Sequence, residues 1–99
     1  MQFEVKILKR AEQEVEEAFL YYESKSIDLG EKFLIEYEDQ LDTLSNIPFF
    51  AVKYDVIRKL PMKKFPCSIH FRVDEDKQKV FIESVSCDYQ DPKTTKIKT

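Results

Sequence analysis

The sequence predicts an α+β domain in the order β-α-α-β-β-β, a two-helix hairpin packed on an antiparallel sheet. Three observations carry this. The hydrophobic period is two up to residue 7, becomes helical, and returns to two beyond Pro48. A polar break at Ser24-Lys25-Ser26 divides the helical part in two. The length of 99 residues, with 42% hydrophobic and 13% aromatic residues, suits one domain with one core.

In the first strand Phe3, Val5 and Ile7 alternate with Gln2, Glu4 and Lys6. Ala11, Val15, Ala18, Phe19 and Tyr22 then form one apolar stripe at helical spacing, and the surrounding glutamates favour helix. Asp28 and Glu31 have capping-box spacing and open a second helix, whose stripe is Phe33, Tyr37, Leu41 and Leu44, widened by Leu34. Pro48 closes it, because the residue before a proline is pushed out of the α region.

Three strands follow. Tyr54, Val56, Arg58 and Leu60 alternate with Asp55, Ile57 and Lys59 in a strand ending at Pro61. Phe65-Pro66 begins the next, in which Cys67, Ile69, Phe71 and Val73 share one face and Ser68, His70 and Arg72 the other. Asp74 to Lys77 is a polar turn. The last strand, Val80 to Val85, needs a bulge, because Ile82 and Val85 are three residues apart and cannot otherwise share a face. The open sheet face is expected to carry Arg58 or its neighbours, with His70 and Arg72. The domain spans residues 1–92, and 93–99 form a polar tail.

Composition excludes several classes. One glycine argues against glycine-rich nucleotide loops, and no apolar run approaches a membrane span. The first residues carry no charged-then-apolar signal pattern, so the expected compartment is the cytoplasm. Two distant cysteines and one histidine are too few ligands for a metal, and no cofactor is expected. If the strands on either side of the 74–77 turn pair, Cys67 and Cys87 are not directly opposed, which argues against a disulfide. The net charge of −3 divides into −7 over residues 1–50 and +4 over residues 51–99. The basic half suits phosphate or an acidic partner; the acidic half solvates its helices.

The residues at the joints resemble the RelE/ParE family of toxins from type II toxin–antitoxin systems, the plasmid stabilisation family. These are the Tyr21-Tyr22 pair, Leu29-Gly30 with Phe33 three residues on, and Pro48. The basic stretch Val56 to Pro66 continues into Ile69 to Val73, and Asp91-Pro92 follows the last strand. The resemblance runs over nearly the whole chain. It implies a growth-inhibiting toxin held off by a cognate antitoxin in a hetero-oligomer. RelE-type relatives are ribosome-dependent mRNA endoribonucleases; ParE-type relatives inhibit DNA gyrase by binding.

As a ribonuclease, the chain would place Arg58, Arg72 and Tyr89 around an RNA phosphate. Lys53, Lys59, Lys63, Lys64 and His70 are the candidates for contact with nucleic acid or another target. Many relatives carry His-x-x-Arg before the Asp-Pro pair, where this chain has Cys87 and Gln90, and Thr94-Thr95 replace the usual tail aromatic. Glutamine cannot supply the charge-assisted phosphate contact of an arginine. These departures favour target binding over RNA cleavage. A family member that keeps the fold without toxicity is the third possibility.

Overall fold

The computed structural model describes residues 2–49, 52–54 and 56–90. Asp55, Asp91-Pro92 and the tail from residue 93 lie outside them. Strand β1 (Glu4–Ile7) leads into helix α1 (Lys9–Lys25) and helix α2 (Leu29–Asn46). Strands β2 (Val52–Tyr54), β3 (Ile57–Pro61), β4 (Cys67–Asp74) and β5 (Lys79–Cys87) follow, and a one-turn 3-10 helix (Asp88–Gln90) comes after β5. The sheet order is β1-β5-β4-β3-β2.

The predicted class holds, with two corrections. Alternation ran straight through residues 54–60, but the chain turns at Val56, making two short strands paired Lys53 to Arg58 and Tyr54 to Ile57. A tight hairpin leaves the period of two intact on both sides, so periodicity does not reveal it. The sheet is also mixed rather than antiparallel. The helix pair carries the chain across to the far edge, so β1 neighbours β5 and runs parallel to it.

Helix α1 buries Ala11, Val15, Ala18 and Tyr22, the expected stripe with Phe19 at its margin. Helix α2 buries Gly30, Phe33, Tyr37, Gln40 and Leu44 and ends two residues before the fully buried Pro48. The expected capping box is absent. Asp28 adopts a left-handed conformation (φ 68°) and its side chain makes no cap bond. Glu23 of α1 takes that role, its carboxylate accepting from the Asp28 N–H (3.2 Å) and the Gly30 N–H (3.0 Å). Gly30 is also where the helices touch: a Cβ there would stand 2.7 Å from the Phe19 carbonyl oxygen. Its lack of a side chain sets the approach of α1 to α2.

The core lies between the helices and one sheet face, where Leu60, Cys67, Ile69, Phe71, Val80, Ile82, Val85 and Cys87 are buried. The expected bulge is present. Pairing runs from Asp74–Lys79 to Phe71–Ile82, skips Glu83, and resumes one residue offset at His70–Ser84. Ile82 and Val85 both become fully buried.

The same offset corrects the expectation for the cysteines. In unbroken register Cys67 would face Ser86; with the bulge it faces Cys87, at a Cα–Cα distance of 4.0 Å, and the two form a disulfide.

Past Ile82, β5 is paired only with β4, because β1 ends at Ile7 and leaves its other edge open. Helix α1 covers that edge. One carboxylate oxygen of Glu14 accepts from the Val85 N–H (2.8 Å), an edge donor that no strand satisfies there, and from the Ser84 hydroxyl (3.0 Å).

Candidate functional site

Both helices pack on one sheet face, and no element among the described residues covers the other. Antiparallel partners share a face, so the register assigns the candidates directly. Lys59 pairs with His70 and His70 with Ser84, a row on the open face; Arg72 stands two residues along β4 from His70. Arg58 pairs with Phe71, which is in the core, so it stands on the helix side rather than with His70 and Arg72.

On the open face the His70 Nε2 lies 2.8 Å from the hydroxyl of the exposed Ser86. Partial burial lowers the imidazole pKa and the neighbouring Lys59 lowers it further, against an opposing pull from Glu14. The fold therefore favours the neutral ring. Arg72 is engaged twice: its Nε bonds the Glu83 carboxylate at 3.1 Å, and its guanidinium sits 4.5 Å from the Phe81 ring centre. Glu83 is the residue skipped at the bulge, so the bulge supplies this counter-charge. Nearer β1, Glu4 pairs with Lys6 (3.1 Å) and approaches Lys79 (3.9 Å).

Arg58 bonds the Phe49 carbonyl (3.3 Å) and lies 5.4 Å from the Phe49 ring centre. Arg58 and Arg72 nevertheless line one open cleft of about 510 Å³, at the end of the sheet near the β4–β5 turn. Its other lining includes Asp74, Glu75 and Asp76, three carboxylates that oppose a phosphate there.

Tyr89 is elsewhere. It follows β5, whereas Arg72 pairs with Phe81 near the start of that strand. Cys87 lies six residues past Phe81, a span of about 20 Å at ~3.3 Å per residue. The Tyr89 ring stacks on Tyr21 (3.8 Å between centres) and meets Tyr22 edge-on (5.8 Å). Its hydroxyl is buried with no partner among the described residues, and burial raises its pKa. The structure thus brings the two arginines to one cleft and keeps Tyr89 apart from them.

Lys63 and Lys64 sit in the β3–β4 turn, where the Glu36 carboxylate of α2 accepts from both backbone N–H groups (3.0 Å for Lys64). The two lysines line a groove of about 560 Å³ with Leu29, Lys32, Ile35 and Phe65. Lys53 lies in β2, and its side chain is outside the described residues, as is that of Gln90. Among the described residues no group of three His, Cys, Asp or Glu side chains is placed to hold a metal. No described helix is long and apolar enough to cross a membrane. Sequence reasoning passed over Ser86, Glu83 and Glu36. Ser86 shows as an outward residue only once the bulge is counted, and the carboxylates looked like ordinary solvated charges.

This arrangement of two helices on a mixed sheet is the RelE/ParE toxin fold. The chain is similar to a chain of the chromosomal ParDE toxin–antitoxin system of P. aeruginosa, with a TM-score of 0.69 and 17% identity over 87% of this chain and 96% of that one. It is similar to a mutant of the E. coli toxin RelE in the free state, with a TM-score of 0.65 and 14% identity over 96% and 93%. It also resembles a chain of the RelBE2 toxin–antitoxin complex of Mycobacterium tuberculosis, with a TM-score of 0.61 and 13% identity over 88% and 92%. No family model matches the sequence. No curated protein matches it either.

Proposed function

We propose that this chain is the toxin of a type II toxin–antitoxin pair, acting in the cytoplasm by binding an essential target such as DNA gyrase and neutralised by a cognate antitoxin. The fold it shares with ParE and RelE toxins supports the toxin role. The observation that carries the choice of binding over RNA cleavage is Cys87. It stands where many relatives keep a histidine, and here it is buried in a disulfide. General acid–base cleavage of RNA needs a proton donor, an acceptor and unopposed positive charge around one phosphate. Arg72 is ion-paired, Tyr89 is stacked with a raised pKa, and carboxylates line the arginine cleft.

The test is induction of the chain alone and together with the product of its neighbouring small gene, scoring growth, translation and DNA damage separately. Growth arrest with DNA damage and intact mRNA, relieved by the neighbour, is the expected outcome. Cleaved mRNA on stalled ribosomes, lost in Arg58→Ala, would establish the ribonuclease alternative. Undisturbed growth at high expression would mark a member that keeps the fold without toxicity.

A further inference from the structure

We propose that Cys67–Cys87 is a reversible thiol–disulfide site, opened in the folded protein by a dithiol, and that its state sets whether the 3-10 helix carrying Tyr89 stays docked. This stands on local geometry; it shares the disulfide with the choice of binding over cleavage, whereas the toxin role rests on the fold and is tested separately.

The chain has two cysteines, and the bulge at Glu83 places them directly opposite each other. The bond therefore forms within one chain, without a competing partner. It joins the first residue of β4 to the last of β5, so it closes the sheet at one end. Beyond it the Asp88 N–H donates to the Pro66 carbonyl at 3.0 Å, and Tyr89 stacks on Tyr21. On the core side the Tyr22 hydroxyl donates to the Cys67 sulfur at 3.3 Å. The Tyr22 ring meets Phe65 at 4.8 Å, Tyr21 at 5.1 Å and Phe33 at 5.5 Å. The state of the sulfurs is thus coupled to one packed aromatic group.

Both cysteines are buried, which closes the bond to reductants in the intact fold. Access comes from position. The bond lies at the end of the last strand, and opening there costs one described backbone hydrogen bond and the contacts of the Tyr89 ring with Tyr21 and Tyr22, leaving the remainder of the β4–β5 ladder in place. Such terminal units open locally, well below the free energy of global unfolding. A thiolate of the dithiol attacks one sulfur, forming a mixed disulfide and releasing the other as a thiolate. The second thiol of the reagent then closes its own disulfide, leaving two protein thiols; two electrons and two protons have passed to the protein. Without the covalent tie, the segment after β5 is held by that hydrogen bond and those ring contacts alone, and it frays.

The test uses the full chain and dithiothreitol. Thiol titration of air-purified protein should find no free thiol, and dithiothreitol should release two while far-UV dichroism stays unchanged. The reduction rate should be nearly flat in urea below the unfolding transition, the signature of local opening. Amide exchange at Asp88 should be at least tenfold faster after reduction, and equally fast with or without dithiothreitol in Cys67→Ala/Cys87→Ala. Three results would each overturn the proposal: two free thiols in the air-purified protein, a urea dependence as steep as global unfolding, or Asp88 exchange unmoved by reduction.

Discussion

The two halves of β5 are held by different means. From Lys79 to Ile82 the strand is paired on both sides, by β1 and β4, and its inward residues Val80 and Ile82 are fully buried. From Ser84 to Cys87 it is paired on one side. Its other edge is covered by Glu14 of α1, and its end is tied to β4 by a disulfide. The first half relies on sheet hydrogen bonds and core packing. The second adds a side-chain carboxylate and a covalent bond to a shorter ladder. A single extra residue, Glu83, separates the regimes, and it also supplies the counter-charge for Arg72. A strand that loses its neighbour stays ordered when its orphan donors find side-chain acceptors, and the structure provides them.

Four measurements sharpen or break this contrast, in order of expected size. Ile82→Ala removes a fully buried side chain from the doubly paired half and should cost about 2–5 kcal/mol in a urea melt; a cost below 1 kcal/mol would show that this half is not the packed one. Cys67→Ala/Cys87→Ala opens a loop of sequence separation 20 and should cost about 3 kcal/mol relative to the oxidised wild type. Glu14→Ala leaves the Val85 N–H without its acceptor and should cost about 1–3 kcal/mol. Glu14→Gln keeps an acceptor oxygen and should cost less. Equal costs for the two variants would assign Glu14 to packing instead of edge satisfaction.

The smallest effect is in pH. His70 has a lowered folded-state pKa, from burial first and Lys59 second, so the fold favours the neutral ring. That contribution is fully present above the unfolded value near 6.5 and is lost as pH falls through it toward the lower folded value. Wild type should lose slightly more stability between pH 7 and pH 5 than His70→Gln. A parallel decline in both proteins would remove His70 from the account.

Much of the fold was legible because periodicity records which face is buried. The strand and helix order, the stop at Pro48 and the bulge between Ile82 and Val85 all follow from the spacing of apolar residues. The parts that were not legible depend on pairing. The turn at Val56 keeps the alternation, so β2 and β3 read as one strand, and the β3–β4 register, which spacing does not give, sets Arg58 beside Phe71 and not with His70. The parallel β1–β5 pair depends on where the helix hairpin returns the chain. The disulfide is the instructive case: the bulge was readable in the sequence, but moving Cys87 opposite Cys67 requires carrying its one-residue offset to the end of the strand. At α2, the Asp28/Glu31 spacing pointed to a local cap, while Glu23 reaches the same N–H groups from the preceding helix. Among the candidate site residues, chemical type was legible and company was not. The partners of Arg72, His70 and Lys63 are Glu83, Ser86 and Glu36, brought in from distant parts of the chain.

The aromatic group beside the disulfide has an optical consequence. The chain has five tyrosines and no tryptophan, so its near-ultraviolet emission is tyrosine emission alone. Three of the five, Tyr21, Tyr22 and Tyr89, are packed together, and the Tyr22 hydroxyl touches the disulfide sulfur. A disulfide in contact with a phenol quenches its fluorescence, and a thiol does so far less. Unlabelled protein in a cuvette should therefore brighten as the Cys67–Cys87 bond opens, a built-in gauge of the chemistry at the end of the sheet.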